Sequence, residues 1–372
     1  MSKGTIIYVG NFELPDKNAA AHRVINNGKL FKALGYRVAY LGTNRDEQIS
    51  GVKQTEYNAD VFEESYPAGT KQWIKHIFDT HNILSVAEKY TDTCLVITYN
   101  TPYATFRAIK KAFAKKKIKV AYDCTEWNDY AEGNIVKRLY KQFDEKQIRT
   151  RLNLVCDDII VISRLMEKQY KNKNLLRLPP LVDVSDSIWN QERVQHEGIF
   201  EFCFAGTTSN KESLSRIVDC FCRIDNSSLR LRIIGQTKEE YLAVFPQHTG
   251  LLNADKRALF EGYISHEEAV KQILSCNCYI FIREKTRRNE AGFPTKFAEA
   301  FTCGVPIIST DVSDIKDFAD DDVILIDGIR EEAIINAMTQ AINCSSKNRE
   351  LKSKFDYNNF TQDAKKWLER ID

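Results

Sequence analysis

Short β-rich apolar runs alternate with amphipathic segments along the whole chain, and a chain patterned this way builds parallel sheets from βαβ units. In the first half the runs are TIIYVG (5–10), YRVAYLG (36–42), CLVITY (94–99), KVAYDC (119–124) and DIIVIS (158–163). The clearest helix between them is AAHRVINNGKLFKALG, where Ala20, Val24, Phe31 and Leu34 recur at helical spacing and Gly35 closes the end. Leu175 to Ser187 interrupts the rhythm with Pro179 and Pro180. The pattern restarts at FEFCFAG (200–206) and continues through LRLRIIG (229–235), RALFEGY (257–263), CYIFIR (278–283), VPIIST (305–310) and VILID (323–327). At 372 residues the chain is too long for one typical core. The expectation is an α/β protein with two doubly wound parallel-sheet domains, residues 1–183 and 184–354. Residues 355–372 predict a helix returning toward the N-terminal domain, with Phe360, Ala364, Trp367 and Leu368 as its buried face.

Charge narrows the partners. The chain carries 53 basic and 51 acidic residues, a net charge of +2, so no global field points to nucleic acid. The local exception is KKAFAKKKIK, Lys110 to Lys119, at the end of a helix expected from about Pro102. These lysines read as a solvated helix face or as a weak contact with an anionic membrane surface. No apolar run approaches a membrane span, and the N-terminus enters a strand without a signal-peptide pattern, so a soluble cytoplasmic protein is expected. Ten cysteines lie scattered in apolar segments, as reduced core residues do. No pair has the two-residue gap of a zinc knuckle, and no structural metal is expected.

In open parallel sheets ligands sit beyond the carboxyl ends of the strands, so two such sheets facing each other would define a cleft. The most informative junction is Arg287 to Thr310, RRNEAGFPTKFAEAFTCGVPIIST. Pro294 suits the first position of a helix running to Cys303, and Gly304 with Pro306 supplies the stop. Phe297, Ala300 and Phe301 share a packing face, while Lys296 and Glu299 share another. A helix start with unpaired N–H donors, near Lys296, Arg287 and Arg288, is a seat for a diphosphate, and Glu299 is placed to accept from sugar hydroxyls. A surface helix with a Lys–Glu pair explains the same letters. A second junction follows Gly206, where Thr207, Thr208 and Lys211 lead into a helix packed through Leu214, Ile217, Val218 and Phe221. Hydroxyls and backbone donors there wrap a phosphate, or Ser209 or Asn210 simply caps the helix. In the first half, the loop after Gly10 enters a helix at Ala19 to Ala21 beside His22 and Arg23, without a GxGxxG pattern. YDCTEWNDY delivers Asp123 and Glu126 to a strand end next to Trp127, as acid–base or sugar-contact candidates or as a cap. Ser163 reads as a helix cap.

AGTTSNKESL after a strand, LRLRIIGQ, FEGYISHEEAVKQIL and GFPTKFAEAFTCGVPIIST resemble the retaining nucleotide-sugar glycosyltransferases of family 4, with the B-type fold of two Rossmann-like domains. VISRLMEKQY and NAAAHRVINNGKLFKALGYRV are similar to the N-terminal domain of that group. The resemblance implies a nucleoside-diphosphate sugar donor, a glycan or lipid-linked acceptor, retention of configuration and no metal or other cofactor. It matches Glu299 to the second glutamate of the family's paired motif, which holds the donor ribose. The usual spacing puts the first glutamate at Ala291, one residue from Glu290. Where the family often has Arg after the first glycine, this chain has Thr207. The implied donor site is therefore Gly206, Thr207, Lys211, Arg283, Glu290, Gly292, Phe293, Pro294, Thr295, Lys296 and Glu299, with Asp123, Glu126 and His22 on the acceptor side. The short form GFPTKFAEA resembles the branch that builds bacterial surface polysaccharides, placing the chain at the inner face of the membrane. A nucleotide-sugar epimerase of the same fold and a non-catalytic sugar-nucleotide-binding protein are the alternatives.

Overall fold

The structure, a computed structural model, describes residues 2–14, 17–44, 52–54, 59–67, 69, 72–73, 77, 79–127, 135–194, 197–208, 212–344 and 349–371. It divides into two compact units, one of residues Met1–Leu181 with Asp356–Asp372 and one of Val182–Phe355.

The first unit is built on an eight-stranded sheet. Its strands are β1 (Thr5–Gly10), β2 (Arg37–Asn44), β3 (Val52–Gln54), β4 (Asp60–Ser65), β5 (Thr93–Tyr99), β6 (Lys119–Cys124), β7 (Asp158–Val161) and β8 (Asn174–Arg177), in the order β3-β4-β2-β1-β5-β6-β7-β8. All neighbours are parallel except β3, which pairs antiparallel with β4 at the edge. Strand order reverses between β1 and β5. The predicted first helix is present as Ala19–Ala33, with Asn18 accepting from the Ala21 N–H as its cap. Ser163 caps the helix Arg164–Gln169 in the same way. Three strands were not foreseen. β4, DVFEES, carries three acids in six residues, and β8, NLLR, is a four-residue edge strand inside a stretch read as linker.

The second unit carries β9 (Phe200–Ala205), β10 (Leu229–Ile234), β11 (Ala258–Phe260), β12 (Cys278–Phe281), β13 (Ile307–Thr310) and β14 (Val323–Ile326), in the order β11-β10-β9-β12-β13-β14. Every pairing is parallel, and the order reverses between β9 and β12. The strands are near-continuous apolar runs because helices cover both faces. Of the ten free cysteines seven lie in this unit, five of them buried. Among the described residues no helix is long and apolar enough to cross a membrane.

The C-terminal helix Thr361–Leu368 packs in the first unit. Ala364 and Trp367 are fully covered, and Phe360 and Leu368 pack at the margin of the same core. The Trp367 indole N–H donates to the Asn174 carbonyl at 3.1 Å, and the Asn174 amide returns a bond to the Trp367 carbonyl at 3.1 Å. Its ring sits 6.3 Å from Phe31. The helix thus closes the β8 edge while filling the core. Trp367→Ala should therefore destabilise the first unit by about 3–5 kcal/mol, the scale of removing a buried Trp, read as a lower urea midpoint for that unit.

Candidate functional site

The reversal between β9 and β12 puts two strand ends side by side with their connections leaving in opposite directions, which opens a crevice at the carboxyl edge. β9 ends at Gly206, whose N–H donates to the Ile234 carbonyl at 2.7 Å. A Cβ on Gly206 would lie 2.3 Å from Lys296 Nζ, so glycine here is what lets the ammonium reach the strand end. β12 runs out into Arg283, whose backbone N–H donates to Thr310 Oγ1 at 2.9 Å and whose guanidinium lies 4.6 Å from the Phe281 ring.

Glu212 joins the two cations. Arg283 Nη2 donates to its Oε1 at 2.8 Å, and Lys296 Nζ stands 3.6 Å from the same oxygen. Two cations share one carboxylate. Burial pulls the Lys296 pKa below its ordinary value, Glu212 opposes that shift, and Arg283 adds to it. About a third of the Lys296 side chain (31%) remains accessible, so solvent moderates the depression. Arg283 Nε is buried with no hydrogen-bond partner among the described residues. The same holds for Gln236 Nε2, whose Oε1 accepts from the Thr208 N–H at 2.8 Å and hydroxyl at 2.6 Å. Buried donors left unpaired are uncommon, and these two have capacity for a further acceptor.

Lys296 and Glu299 come from the helix Thr295–Thr302. Pro294 was expected inside this helix but stands at its N-cap with extended ψ, so the helix starts one residue later. Its apolar face, Phe297, Ala298, Ala300 and Phe301, is buried, which turns Lys296 and Glu299 outward. Glu299 Oε1 lies 3.3 Å from His266 Nε2, a neighbour the sequence did not flag. Arg287 and Arg288 were read as loop residues but open a short helix, Arg287–Ala291, capped by Thr286 and ended at Gly292. Glu290 accepts from the Ser313 N–H at 3.3 Å and holds the following turn. Phe293 is buried against Phe297, Phe318 and Phe355, so it belongs to the core and not to a ligand surface. Thr207 is exposed in the loop after Gly206, and Thr295 is half-buried at the helix start. Lys211, with Ser209 and Asn210, lies outside the described residues. Glu212, the residue that joins the two cations, was missed; its only signal was being an acid between the basic candidate Lys211 and a helix.

The first unit gives Asp123 a different role from the one expected. It is fully buried, and both carboxylate oxygens are occupied. Arg23 Nη2 donates to Oδ1 at 2.8 Å and Nε to Oδ2 at 3.0 Å, Tyr8 makes a short O–H bond to Oδ2, and Asn27 Nδ2 adds a contact at 3.3 Å. The remaining Arg23 donor reaches the Leu178 carbonyl at 3.1 Å and the Pro179 carbonyl at 3.4 Å. Burial would lower the Arg23 pKa, but the Asp123 charge more than offsets it; burial followed by Asp123 pushes the Tyr8 phenol well up. Asp123 is a structural counter-ion with no face left for an acceptor. His22 in the first turn of Ala19–Ala33 and Glu126 beyond β6 are only half-buried and remain the acceptor-side candidates.

Removing that counter-ion strands a buried guanidinium. Asp123→Ala should cost about 3–5 kcal/mol in urea unfolding, as breaking one side of a buried pair does. Full stability with lost turnover would instead make Asp123 part of the reaction.

Comparisons with known proteins bear on the fold and on the second unit. Residues 187–360 match the family described as glycosyl transferases group 1. Curated proteins gave no sequence match. Among solved structures, the chain is similar to sucrose-phosphate synthase from Thermosynechococcus elongatus, with TM-score 0.74 and 13% identity over 99% of both chains. It is similar to Anabaena HepE in complex with UDP and glucose, with TM-score 0.69 and 11% identity over 99% of this chain and 100% of that one. A third is the lipopolysaccharide outer core galactosyltransferase WaaB, with TM-score 0.62 and 12% identity over 98% and 99%. These likenesses establish the fold, and the family match covers the unit that holds the Gly206–Arg283–Lys296 cluster. The chain has the B-type fold of two Rossmann-like units, and its residues 187–360 carry the match to glycosyl transferases group 1.

Proposed function

We propose that the chain transfers a sugar from a nucleoside-diphosphate sugar to a glycan or lipid-linked acceptor with retention of configuration, in bacterial surface polysaccharide assembly on the cytoplasmic side of the membrane. The observation that carries the donor half is the Lys296–Glu212–Arg283 cluster at the β9/β12 reversal, where two cations share one carboxylate beside two unpaired buried donors. A diphosphate supplies the missing acceptors. When the bond from the anomeric carbon to the β-phosphate oxygen breaks, negative charge grows on that phosphate, and cations already in place stabilise it without reorganising. Attack from the same face, with the leaving phosphate taking the acceptor proton, gives retention without a separate base. Glu299, held near His266, accepts from the ribose hydroxyls in this reading, and His22 and Glu126 are the acceptor-side groups. The description of HepE with UDP and glucose supports the donor class, and the outer-core role of WaaB supports a surface-glycan product.

Incubation with UDP-, ADP- and GDP-sugars decides between readings. Release of nucleoside diphosphate is expected; interconversion of the sugar alone would make the chain an epimerase, and binding without turnover a sensor. Glu299→Gln should weaken donor binding by roughly 1–3 kcal/mol, the scale of a charged hydrogen bond, as read by calorimetry; unchanged affinity would remove Glu299 from the site.

The depressed Lys296 pKa gives a second test. Its ammonium form binds the diphosphate, so affinity should fall as pH rises through a value below the ordinary 10.5. Lys296→Arg stays charged across this range and should flatten the profile. Parallel profiles for the two proteins would place the titrating group elsewhere.

A further inference from the structure

The helix Ile135–Val155 joins the carboxyl end of β6 to the amino end of β7, so its first turns stand at the carboxyl edge of the first sheet. Those turns are uncovered. Ile135 and every residue from Arg138 to Phe143 are exposed, and Ile135 (72%), Leu139 (61%), Phe143 (62%) and Leu154 (75%) are among the most exposed large apolar side chains in the described structure. At 3.6 residues per turn these four fall within about 100° of one another on the helix surface. Tyr140 lies beside the stripe. A helix face of this kind ordinarily packs on a core; here Ile148 and Leu152, on the opposite side, do the packing.

The charges along this face have one sign. Arg138 and Arg151, both exposed, border the stripe on its two sides at helical spacing. Lys146 is exposed on the same side as Phe143 and Leu154. The first acids, Asp144 and Glu145, turn inward: Asp144 accepts the Tyr103 N–H at 2.8 Å and Glu145 pairs with Arg149. Apolar side chains flanked by cations, with the acids withdrawn, are what lies in the headgroup layer of an anionic bilayer. An anionic bilayer meets the cations and the apolar stripe with one continuous surface, headgroups for the first and acyl chains for the second.

The lysine-rich stretch makes the poorer membrane surface. Lys115 to Lys119 sit at the opposite, amino edge of the sheet, where β6 starts. There Lys110 donates to the Val155 carbonyl at 2.5 Å and Lys116 pairs with Glu88 at 3.0 Å. Among the described residues no exposed large apolar side chain accompanies them.

We propose that the outward face of Ile135–Val155, through Ile135, Leu139, Phe143 and Leu154 with Arg138, Lys146 and Arg151, is a docking surface for an anionic lipid bilayer. The inference concerns where the chain rests and holds whatever the acceptor is. The full chain is floated with vesicles of phosphatidylglycerol and phosphatidylethanolamine, or of phosphatidylcholine alone, at low and high salt. The intact chain should float with the anionic vesicles and not with the neutral ones. The double variant Leu139→Asp, Phe143→Asp should lower the bound fraction at least about tenfold, and Arg138→Glu, Lys146→Glu should do so most at low salt. Because these side chains are exposed, circular dichroism and donor binding should be unchanged in both. Lys115→Glu, Lys116→Glu, Lys117→Glu should float like the parent. Failure of the parent to float at low salt overturns the proposal, as does equal flotation by the Asp variant. A parent that is dimeric in light scattering and becomes monomeric in the Asp variant would assign the face to self-association instead.

Discussion

The first unit depends on satisfying one buried ion pair. Desolvating a carboxylate and a guanidinium costs more than their attraction returns unless every remaining donor and lone pair is met. Here they are met from four separate parts of the chain. Tyr8 comes from β1, Arg23 and Asn27 from the first helix, Asp123 from β6, and the Leu178 and Pro179 carbonyls from the segment after β8. The chain cannot place Arg23 without also fixing the register of β1 beside its neighbours and the path on which it leaves the unit. The same requirement positions His22, one residue away, at the carboxyl edge.

The second unit works by the opposite rule, leaving charge incompletely compensated. Glu212 is a single carboxylate between Lys296 and Arg283, and it keeps the cations from repelling each other apart while leaving them net positive. Gly206 supplies space, and the aromatic rings of Phe204 and Phe281 supply low-dielectric walls 5.8 Å from Lys296 Nζ and 4.6 Å from the Arg283 guanidinium. In such surroundings a charge on an incoming group counts for more than it does in water. A fully neutralised cluster, like that around Asp123, has nothing left to offer a ligand.

This contrast explains what was legible in the sequence. β1, β5 and β12 were readable because strands covered on both faces must be apolar throughout, and β10, LRLRII, because its apolar residues alternate with arginines. β4 was not, since its acids break the run, and β8 was hidden by the prolines that follow it. Gly206, Arg283, Lys296 and Glu299 were singled out because they stand where strands hand over to helices. Asp123 stands at such a place too, and a carboxylate there reads alike whether it faces a ligand or a partner. Its partner, Arg23, is 100 residues away, a distance no local pattern spans. Glu212 was overlooked for the related reason that its meaning comes from Arg283 and Lys296, which only the β9–β12 pairing brings near. Phe293 was misplaced because an aromatic in a glycine–proline turn gives no sign of which way it faces.

What turns Lys296 and Glu299 toward the crevice is therefore not the helix alone but what lies beneath it. Phe355, fully buried, is touched by Phe293, Phe297, Phe301 and Phe318 with ring centroids 4.7–6.2 Å apart. Aromatic pairs of this geometry hold orientation as well as area. Phe297 and Phe301 lie on one face of Thr295–Thr302, so seating them in the cluster sets the rotation of the helix about its axis. Gly304 then ends it in the left-handed region, with φ of 66°, where the Glu350 carbonyl lies within 2.0 Å of any added Cβ. The Phe355 carbonyl accepts the Val182 N–H at 2.9 Å, which joins the first and last residues of the second unit. The aromatic cluster that closes this unit thus also aims its two charged side chains, and a change that loosens Phe355 acts on the site without touching it.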